Sequence, residues 1–372
     1  MSNGAPLTRL VAGLPATVPF VGPEELERQS GRPLILRLGA NESAFGPSPR
    51  AREAMYAASN QSAWYADPQS YVLRSALAAH HGVALEQIVV ASGIDDLLGL
   101  IVRAFLDRNE IAVTSLGAYP TFNYHVVGYG GVLERVPYRD DRNDLQALTD
   151  AARRVGARLV YLANPDNPSG SWHTAADLKA FLDSLPSGCL LILDEAYIDF
   201  APAEALLPID AHDPRVLRLR TFSKAHGMAG ARIGYAIGTA DIISAFEKIR
   251  LHYGVNIIAQ AGALASLADT DHLQSVIQAV AEGRQEYAML ARDLGLIPLP
   301  SATNFVAIDV GGPVRARALL AALLAEGVFI RMPGAPPLDR CIRVTVGTPA
   351  ERATFAEILR RVWPTVAAAN HV

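Results

Sequence analysis

Cysteine is scarce in this 372-residue sequence, and its two cysteines, Cys189 and Cys341, lie far apart. They form no Cys-x-x-Cys pair, and neither has a histidine at the spacing of a zinc ligand. The sequence therefore predicts neither a disulfide framework nor a zinc site, and we expect no metal. Cys189 stands in an apolar run, where it is most simply explained as a small buried side chain.

An excess of positive charge is also missing. Lys and Arg number 33 against 37 Asp and Glu, a net charge of −4, and no basic cluster is long enough to follow a phosphate backbone. Nucleic acid is therefore a poor candidate partner. No uninterrupted apolar run reaches about 18 residues, and the apolar stretch from Leu10 to Val21 is broken by Pro15 and Pro19. We expect no signal peptide, no membrane partner and a cytoplasmic location.

The sequence does contain short apolar runs that alternate with longer segments of helical periodicity. This pattern predicts an α/β fold, with a mostly parallel sheet covered by helices on both faces. Each run is nearly all apolar or β-branched, as expected for a strand that is buried on both faces. Strands are predicted at 87–91, 111–114, 159–163, 190–193, 216–219 and 233–237.

The last third of the chain has a different pattern. A long amphipathic helix is predicted at 272–293 with Gly295 as its stop, and strands are predicted at 304–310 and 341–346. The chain is too long for one compact core. We therefore predict three parts: an N-terminal arm at 1–38, a large domain at 39–270 and a smaller α/β C-terminal domain at 271–372.

One lysine stands among hydroxyl groups, small residues and an arginine. Thr221, Ser223 and Arg232 accompany Lys224 just after the strand predicted at 216–219, and hydroxyls with a guanidinium suit a phosphate dianion. A lysine amine in such surroundings can be the nucleophile that forms a Schiff base. A Ser-Lys pair on its own is usually part of a surface loop. Other motifs are therefore needed to distinguish a Schiff-base lysine from a surface lysine.

Polar side chains also follow two other predicted strands. Asp194 follows the run at 190–193, with Tyr197 three residues later, and ligands bind at the carboxyl ends of strands in open α/β sheets. A carboxylate there can pair with a protonated pyridine nitrogen, or it can merely cap the helix that follows. Asn167 lies between two Asn/Asp-Pro turns, where it can orient a ring hydroxyl, although turn chemistry alone also accounts for it.

Two further elements complete a predicted pocket. The segment Gly93-Ile94-Asp95 joins a strand to an apolar helix and offers backbone N–H groups to an anion. Tyr119 follows the strand at 111–114 and can stack on a planar ring. Each element has an ordinary structural explanation by itself. Five of them, each at the end of a predicted strand, indicate one ligand-binding pocket.

The sequence resembles the fold type I pyridoxal-phosphate enzymes, and most closely the histidinol-phosphate aminotransferase group, from about residue 38 to residue 347. The motifs that carry this resemblance are Asn41-Glu42 with Phe45-Gly46-Pro47-Ser48-Pro49, Tyr65 with Asp67-Pro68, the tandem Asn/Asp-Pro turns, Asp194-Glu195-Ala196-Tyr197, Ser223-Lys224, Asn304-Phe305, and Arg343 with Thr345-Val346-Gly347. The resemblance implies a seven-stranded sheet, a pyridoxal 5′-phosphate cofactor bound by residues 39–270, and a transferase of amino groups.

The resemblance also implies a role for each motif residue. Lys224 would form the Schiff base and move the proton at the substrate α-carbon. The ring would be held by Asp194 at its nitrogen, by Asn167 and Tyr197 at its hydroxyl, and by Tyr119 at its face. The cofactor phosphate would lie among Gly93, Ile94, Asp95, Thr221, Ser223 and Arg232. Arg343 would clamp the substrate α-carboxylate, with Asn41 on the facing side.

A homodimer with a shared active site is implied as well, because Tyr65 matches a tyrosine that the neighbouring subunit donates. The implied substrates are an amino-acid or amino-alcohol phosphate and a 2-oxo acid. Arg331 occupies the position that meets a substrate phosphate, whereas Phe20 replaces a tyrosine that commonly contacts the substrate. Two motifs also depart from the family pattern, since Ile94-Asp95-Asp96 replaces Ser-Asp-Glu, and Asp166 and Ser169 replace Asn and Thr.

Several functions remain open at this point. Histidinol phosphate with 2-oxoglutarate is the first choice, and aromatic amino-acid aminotransferases share nearly the same motifs. A threonine-phosphate type of decarboxylase uses the same cofactor on a similar fold, and no motif reports which substrate bond breaks. A non-catalytic ligand-sensing domain would need a DNA-binding module, but no helix-turn-helix segment or basic extension flanks the core.

Overall fold

The computed structural model describes residues 6–15 and 21–368. The strands in these residues are β1 (Leu36–Arg37), β2 (Ile88–Ala91), β3 (Ile111–Ser115), β4 (Val132–Val136), β5 (Leu159–Ala163), β6 (Leu190–Asp194), β7 (Val216–Thr221), β8 (Gly234–Ile237), β9 (Ile297–Pro298), β10 (Phe305–Asp309), β11 (Val328–Phe329) and β12 (Cys341–Thr345).

The α-helices of the same residues are α1 (Arg9–Ala12), α2 (Pro23–Ser30), α3 (Pro49–Ser59), α4 (Tyr71–His81), α5 (Ile94–Phe105), α6 (Pro120–Gly128), α7 (Leu145–Val155), α8 (Ala175–Ser184), α9 (Ala240–Glu247), α10 (Ile257–Leu267), α11 (Thr270–Asp293), α12 (Pro313–Ala325) and α13 (Pro349–Ala368). Short 3-10 helices lie at Leu85–Gln87, Ile198–Phe200, Ala203–Ala205, Ala229–Ala231 and Leu338–Arg340.

A seven-stranded sheet in the order β2-β8-β7-β6-β5-β3-β4 forms the centre of the fold. All neighbouring strands are parallel except β8, which runs antiparallel to both β2 and β7. Alternate residues of β5 pack into different apolar clusters, with Leu159 in one and Val160 in the other. Helices therefore cover both faces of the sheet, and the predicted α/β fold is confirmed.

The six strands that were predicted for this sheet are all present, with ends shifted by at most two residues. The strand that was not predicted is β4, which pairs in parallel with β3 at the edge of the sheet. Its middle residues, Glu134 and Arg135, are charged and partly or fully exposed. An edge strand with one solvated face does not need a continuous apolar run, so the pattern used for the buried strands fails there.

The C-terminal part contains an antiparallel sheet of β9, β10 and β12. The long helix predicted at 272–293 is α11, which starts at Thr270, ends at Asp293 and is followed by Gly295 with a φ of 72°. The N-terminal segment reaches this region through β1, which pairs in parallel with β11. The division into 1–38, 39–270 and 271–372 stays a prediction. Across the described residues, no helix combines the length and apolar character that crossing a membrane requires.

Candidate active site

A cavity of about 620 Å³ lies at the carboxyl ends of the central strands. The last residues of β5, β6 and β7 and the loops that follow them lie at the cavity, because neighbouring parallel strands end at the same edge of a sheet. Thirteen residues that the sequence singled out line the cavity: Asn41, Ile94, Asp95, Tyr119, Asn167, Asp194, Tyr197, Thr221, Ser223, Lys224, Arg232, Arg331 and Arg343.

The amine of Lys224 lies inside this cavity and is held by its surroundings. Its Nζ donates to the backbone carbonyl of Asn41 over 3.0 Å and lies 5.6 Å from the centre of the Tyr197 ring. Asn41 adopts a φ of 54°, and its side-chain amide donates to the Tyr197 hydroxyl over 3.0 Å. The structure therefore joins the lysine, the tyrosine and the facing asparagine, which are far apart in sequence, in one hydrogen-bonded group.

The carboxylate of Asp194 ends β6 and is only 4% exposed. Its Oδ2 accepts the hydroxyl proton of Tyr161 over 2.7 Å, and its Oδ1 accepts the backbone N–H of Ala196 over 2.9 Å. Burial raises the pKa of Asp194 to about 6, and these two donors limit the rise. The chain continues into a turn and a 3-10 helix at Ile198–Phe200, so Asp194 does not cap an α-helix.

Asn167 and Arg343 meet across the cavity. One guanidinium nitrogen of Arg343, on β12, donates to Oδ1 of Asn167 over 2.5 Å, and another donates to the carbonyl of Gly39 over 3.1 Å. The Nε of Arg343 is buried and has no hydrogen-bond partner within the described chain. Burial lowers the pKa of Arg343 to about 10, so the group remains charged at neutral pH. A cation with a spare buried donor suits a carboxylate ligand.

The other end of the cavity is built around Gly93 and Arg232. Gly93 precedes α5 with a φ of 90°, and a Cβ there would lie 2.6 Å from the Nη2 of Arg232. Only glycine therefore lets the guanidinium lie against the first turn of α5. Gly93 itself is not among the lining residues. Arg232 donates to the carbonyl of Ala229 over 3.0 Å and approaches Asp95 to 3.6 Å.

The remaining predicted residues at this end form short-range pairs. The Tyr119 hydroxyl donates to Asp95 over 2.9 Å, and burial together with the Asp95 charge raises the pKa of Tyr119. The Thr221 hydroxyl donates to the Ser223 hydroxyl over 2.9 Å. Hydroxyls, a guanidinium and the uncapped start of α5 thus line the same end of the cavity, which is a setting that suits a phosphate.

Arg331 lies beside Arg343, and the backbones of the two residues form an isolated β-bridge. Its side chain donates to the carbonyl of Val21 over 2.9 Å and lies 5.2 Å from the centre of the Phe329 ring. Burial lowers the pKa of Arg331 below its usual value. Arg331 therefore adds another guanidinium to the cavity lining, beside Arg343.

Apart from Gly93, one described residue that was predicted for the site, Tyr65, does not line the cavity. Tyr65 is 80% exposed and stacks on Tyr253 with ring centres 4.4 Å apart, and it is absent from the lining. Phe20 lies outside the described residues. The described residues also contain no group of three or more His, Cys, Asp or Glu side chains that could hold a metal ion.

Tyr161 is not among the predicted site residues, although it lines the cavity and donates to Asp194. The apolar lining residues Pro23, Met332 and Pro333 were not predicted either. A signal for Tyr161 existed, since it is the one side chain with a polar group in the run Leu159–Ala163. That run was interpreted only as a buried strand.

Comparison with known proteins places this site in a family. The family model described as aminotransferase class I and II matches residues 34–359. The chain is 35% identical over 352 residues to histidinol-phosphate aminotransferase 1 of Bacillus cereus, covering 94% of each sequence. It is 36% identical to the histidinol-phosphate aminotransferase of an Anaeromyxobacter species, covering 95% of this chain and 97% of that one.

Solved structures agree with these matches. The crystal structure of histidinol-phosphate aminotransferase from Sinorhizobium meliloti in complex with pyridoxal-5′-phosphate is 50% identical, with a TM-score of 0.93 over 97% of this chain and 99% of that one. Aspartate aminotransferase from Thermus thermophilus with maleate is 23% identical with a TM-score of 0.82, over 96% and 100%, and shares the fold. With a family model covering most of its length and relatives above 30% identity, the chain belongs to the class I and II aminotransferases.

Proposed function

We propose that this chain is a pyridoxal-phosphate-dependent aminotransferase that moves the amino group of histidinol phosphate to 2-oxoglutarate. One observation carries the proposal: the Lys224 amine, the Asp194 carboxylate and the guanidinium groups of Arg331 and Arg343 line a single cavity. The relatives from Bacillus cereus and Sinorhizobium meliloti are named histidinol-phosphate aminotransferases, and the crystal structure of the second is a complex with pyridoxal-5′-phosphate.

The residues at the cavity fit the cofactor at both of its ends. Arg232, Thr221 and Ser223, with the start of α5, would bind the phosphate, and the absence of a side chain at Gly93 makes room for the guanidinium there. Asp194 retains lone pairs for a protonated ring nitrogen, because within the described part of the chain only two donors occupy its carboxylate. The ring hydroxyl would meet Asn167 and Tyr197, and the ring face Tyr119.

Lys224 has two tasks in this proposal. Its amine would be the nucleophile that holds the cofactor, and when released it would be the base that moves the proton between the substrate α-carbon and the cofactor. The carbonyl of Asn41, 3.0 Å from Nζ, gives the released amine a fixed place beside the reaction. The bound cofactor supplies a ring that stabilises negative charge at that carbon.

The two arginines divide the recognition of the substrates between them. Arg343 would bind the α-carboxylate of 2-oxoglutarate and glutamate, since its buried Nε has no other partner in the described chain. Histidinol phosphate is an amino alcohol without an α-carboxylate, so its phosphate becomes the anion to be recognised. Arg331, next to Arg343 in the cavity lining, would take that task.

Replacing the lysine tests the reaction itself. Lys224→Ala should abolish the visible absorbance of the lysine-bound cofactor and all but a trace of turnover, and Lys224→Arg, which keeps the charge but not the nucleophile, should behave alike. The assay follows glutamate formed from histidinol phosphate and 2-oxoglutarate, and a parallel assay measures carbon dioxide released from threonine phosphate. Unchanged turnover in either variant would contradict the proposal, and release of carbon dioxide would favour a decarboxylase.

Replacing the second arginine tests the substrate. Arg331→Ala should lower kcat/KM for histidinol phosphate by about 10²-fold, because a charge-assisted bond to phosphate is lost. The same variant should change kcat/KM for phenylalanine and tyrosine by less than about threefold. These unphosphorylated donors are the internal control. An equal decrease in kcat/KM for all three donors would show that Arg331 does not bind the substrate phosphate.

A homodimer is part of the same proposal. Tyr65 and Tyr253 stack on an outer surface, and Trp64 and Leu251, their neighbours in sequence, are 71% and 76% exposed. Apolar groups of this kind at a surface are typical of protein contacts. If Tyr65 serves the site of a second copy, mixing inactive Lys224→Ala and Tyr65→Ala subunits should restore activity. A monomer in sedimentation experiments would refute the proposed homodimer.

The cytoplasmic location stays a prediction.

A further inference from the structure

A tyrosine on β5, Tyr161, contributes to the lining of the cavity. Tyr161 is only 1% exposed, and its ring stacks on Phe122 of α6, with ring centres 5.0 Å apart and planes 14° apart. Tyr161 is among the residues that line the cavity, and its hydroxyl donates to Oδ2 of Asp194 over 2.7 Å. Burial and stacking hold the ring in place, so the hydroxyl is a donor with a defined position.

The carboxylate of Asp194 is held from two sides. Tyr161 binds Oδ2 from the neighbouring strand, and the N–H of Ala196 binds Oδ1 from the turn that follows β6. A carboxylate offers about four acceptor sites, so roughly two remain for a ligand in the cavity. The two bonds together fix the rotation of the carboxylate and therefore the direction in which its free lone pairs face.

The charge on Asp194 depends on a few groups around it. Burial raises the pKa of its carboxyl, Asp95 at the start of α5 raises it further, and Tyr161, Ala196 and Lys224 act in the opposite direction. Burial and the nearby carboxylate raise the pKa of Tyr161 well above its usual value. Tyr161 therefore keeps its proton and remains a donor across the pH range in which Asp194 titrates.

We propose that Tyr161 is a positioning residue for the cofactor: its hydroxyl orients the Asp194 carboxylate and stabilises its negative charge for a protonated ring nitrogen. This inference rests on the proposed function, since it requires a pyridoxal phosphate ring at Asp194. Without the hydroxyl, Asp194 loses one of its two donors. Its carboxylate is then freer to rotate and more easily protonated, and a protonated carboxyl pairs poorly with a protonated ring nitrogen.

The variant Tyr161→Phe tests this directly, because it removes the hydroxyl and keeps the ring on Phe122. Cofactor-free protein is titrated with pyridoxal phosphate between pH 5 and pH 8, and the dissociation constant is read from quenching of protein fluorescence. Affinity should fall as Asp194 becomes protonated. In Tyr161→Phe the pH at which this happens should rise by about one unit, and at pH 6 the dissociation constant should increase about tenfold.

The matched control is Tyr138→Phe. Tyr138 is also a buried tyrosine whose hydroxyl donates to a buried carboxylate, that of Asp166, but neither residue lines the cavity. Tyr138→Phe should cost similar stability and leave the pH profile of cofactor binding where it is in the unchanged protein. Titration of the cofactor phosphate is common to all three proteins and cancels in the comparison.

A cofactor analogue separates positioning from a merely structural role. In 1-deazapyridoxal phosphate a carbon replaces the ring nitrogen, so the unchanged protein and Tyr161→Phe should bind the analogue with equal affinity. A penalty of the same size for cofactor and analogue, or an unshifted pH profile, would overturn the inference while leaving the proposed function intact. If the unchanged protein develops no visible absorbance with pyridoxal phosphate, the proposed function itself fails.

Discussion

Two buried tyrosine–aspartate pairs in this molecule differ in the number of hydrogen bonds that the aspartate carboxylate accepts. Tyr161 donates to Asp194 at the end of β6, and Tyr138 donates to Asp166 in the loop after β5. Both carboxylates are almost fully buried, at 4% and 1% exposure. Asp194 faces the cavity with two donors, whereas Asp166 also receives the Asn143 amide and both the N–H and the hydroxyl of Ser169.

The difference teaches that the number of donors, and not burial, separates a structural carboxylate from a functional one. Burial raises the pKa of both carboxyl groups, and in each the hydrogen bonds oppose the rise. The donors around Asp166 leave it little capacity for a ligand, so it holds the loop that carries Asn167. Asp194 keeps free acceptor sites, which is unfavourable for stability but is what the proposed pairing with a cationic ring nitrogen requires.

The largest expected difference between the pairs is in catalysis. Asp194→Asn should lower kcat by on the order of 10²–10³-fold, because the charge that supports the cofactor ring is lost. Asp166→Asn, which restores the residue usual in the related motif, should lower kcat by less than about tenfold. Initial rates at saturating substrate measure both. Equal losses of kcat in the two variants would show that the free acceptor sites of Asp194 do not give it a special role in catalysis.

Stability should show the opposite order. In cofactor-free protein, Asp166→Ala should lower the free energy of unfolding by about 3–5 kcal/mol, because several buried donors lose their acceptor at once. Asp194→Ala should lower the free energy of unfolding by less, because only two donors in the described chain lose their acceptor and the variant also removes a buried charge. Urea unfolding followed by circular dichroism measures the free energies. A larger loss for Asp194→Ala would mean that its carboxylate is mainly structural.

The smallest expected effect is the pH dependence of stability in cofactor-free protein. The pKa of Asp194 is raised to about 6 from its usual value, so its contribution to stability is fully present below the unfolded-state pKa of about 3.9 and is lost as the pH rises through about 6. The total change is about 3 kcal/mol. Asp194→Asn should remove this part of the pH profile between pH 4 and pH 7. Parallel profiles for the two proteins would contradict the raised pKa.

The sequence by itself determined the central strands and most of the cavity. Buried parallel strands are apolar runs, and the polar residues that follow them converge at one edge of the sheet, so Lys224, Asp194 and Asn167 could be predicted from their order along the chain. The motif resemblance added Arg343 and Asn41, which lie at 304 and 183 residues from their hydrogen-bonding partners Gly39 and Lys224.

Only the tertiary structure decided how these groups face one another. Tyr161 reaches Asp194 because the register of β5 and β6 pairs Tyr161 with Ile192, two residues before Asp194 on the same face of the sheet. Nothing in the run Leu159–Ala163 specifies that register. In the same way, a side chain at position 93 is excluded because Arg232 lies against it. The number of acceptor sites left free on Asp166 and Asp194 depends on donors from other elements. Hydrogen bonds depend on distances of a few tenths of an ångström, which a pattern along the chain does not contain.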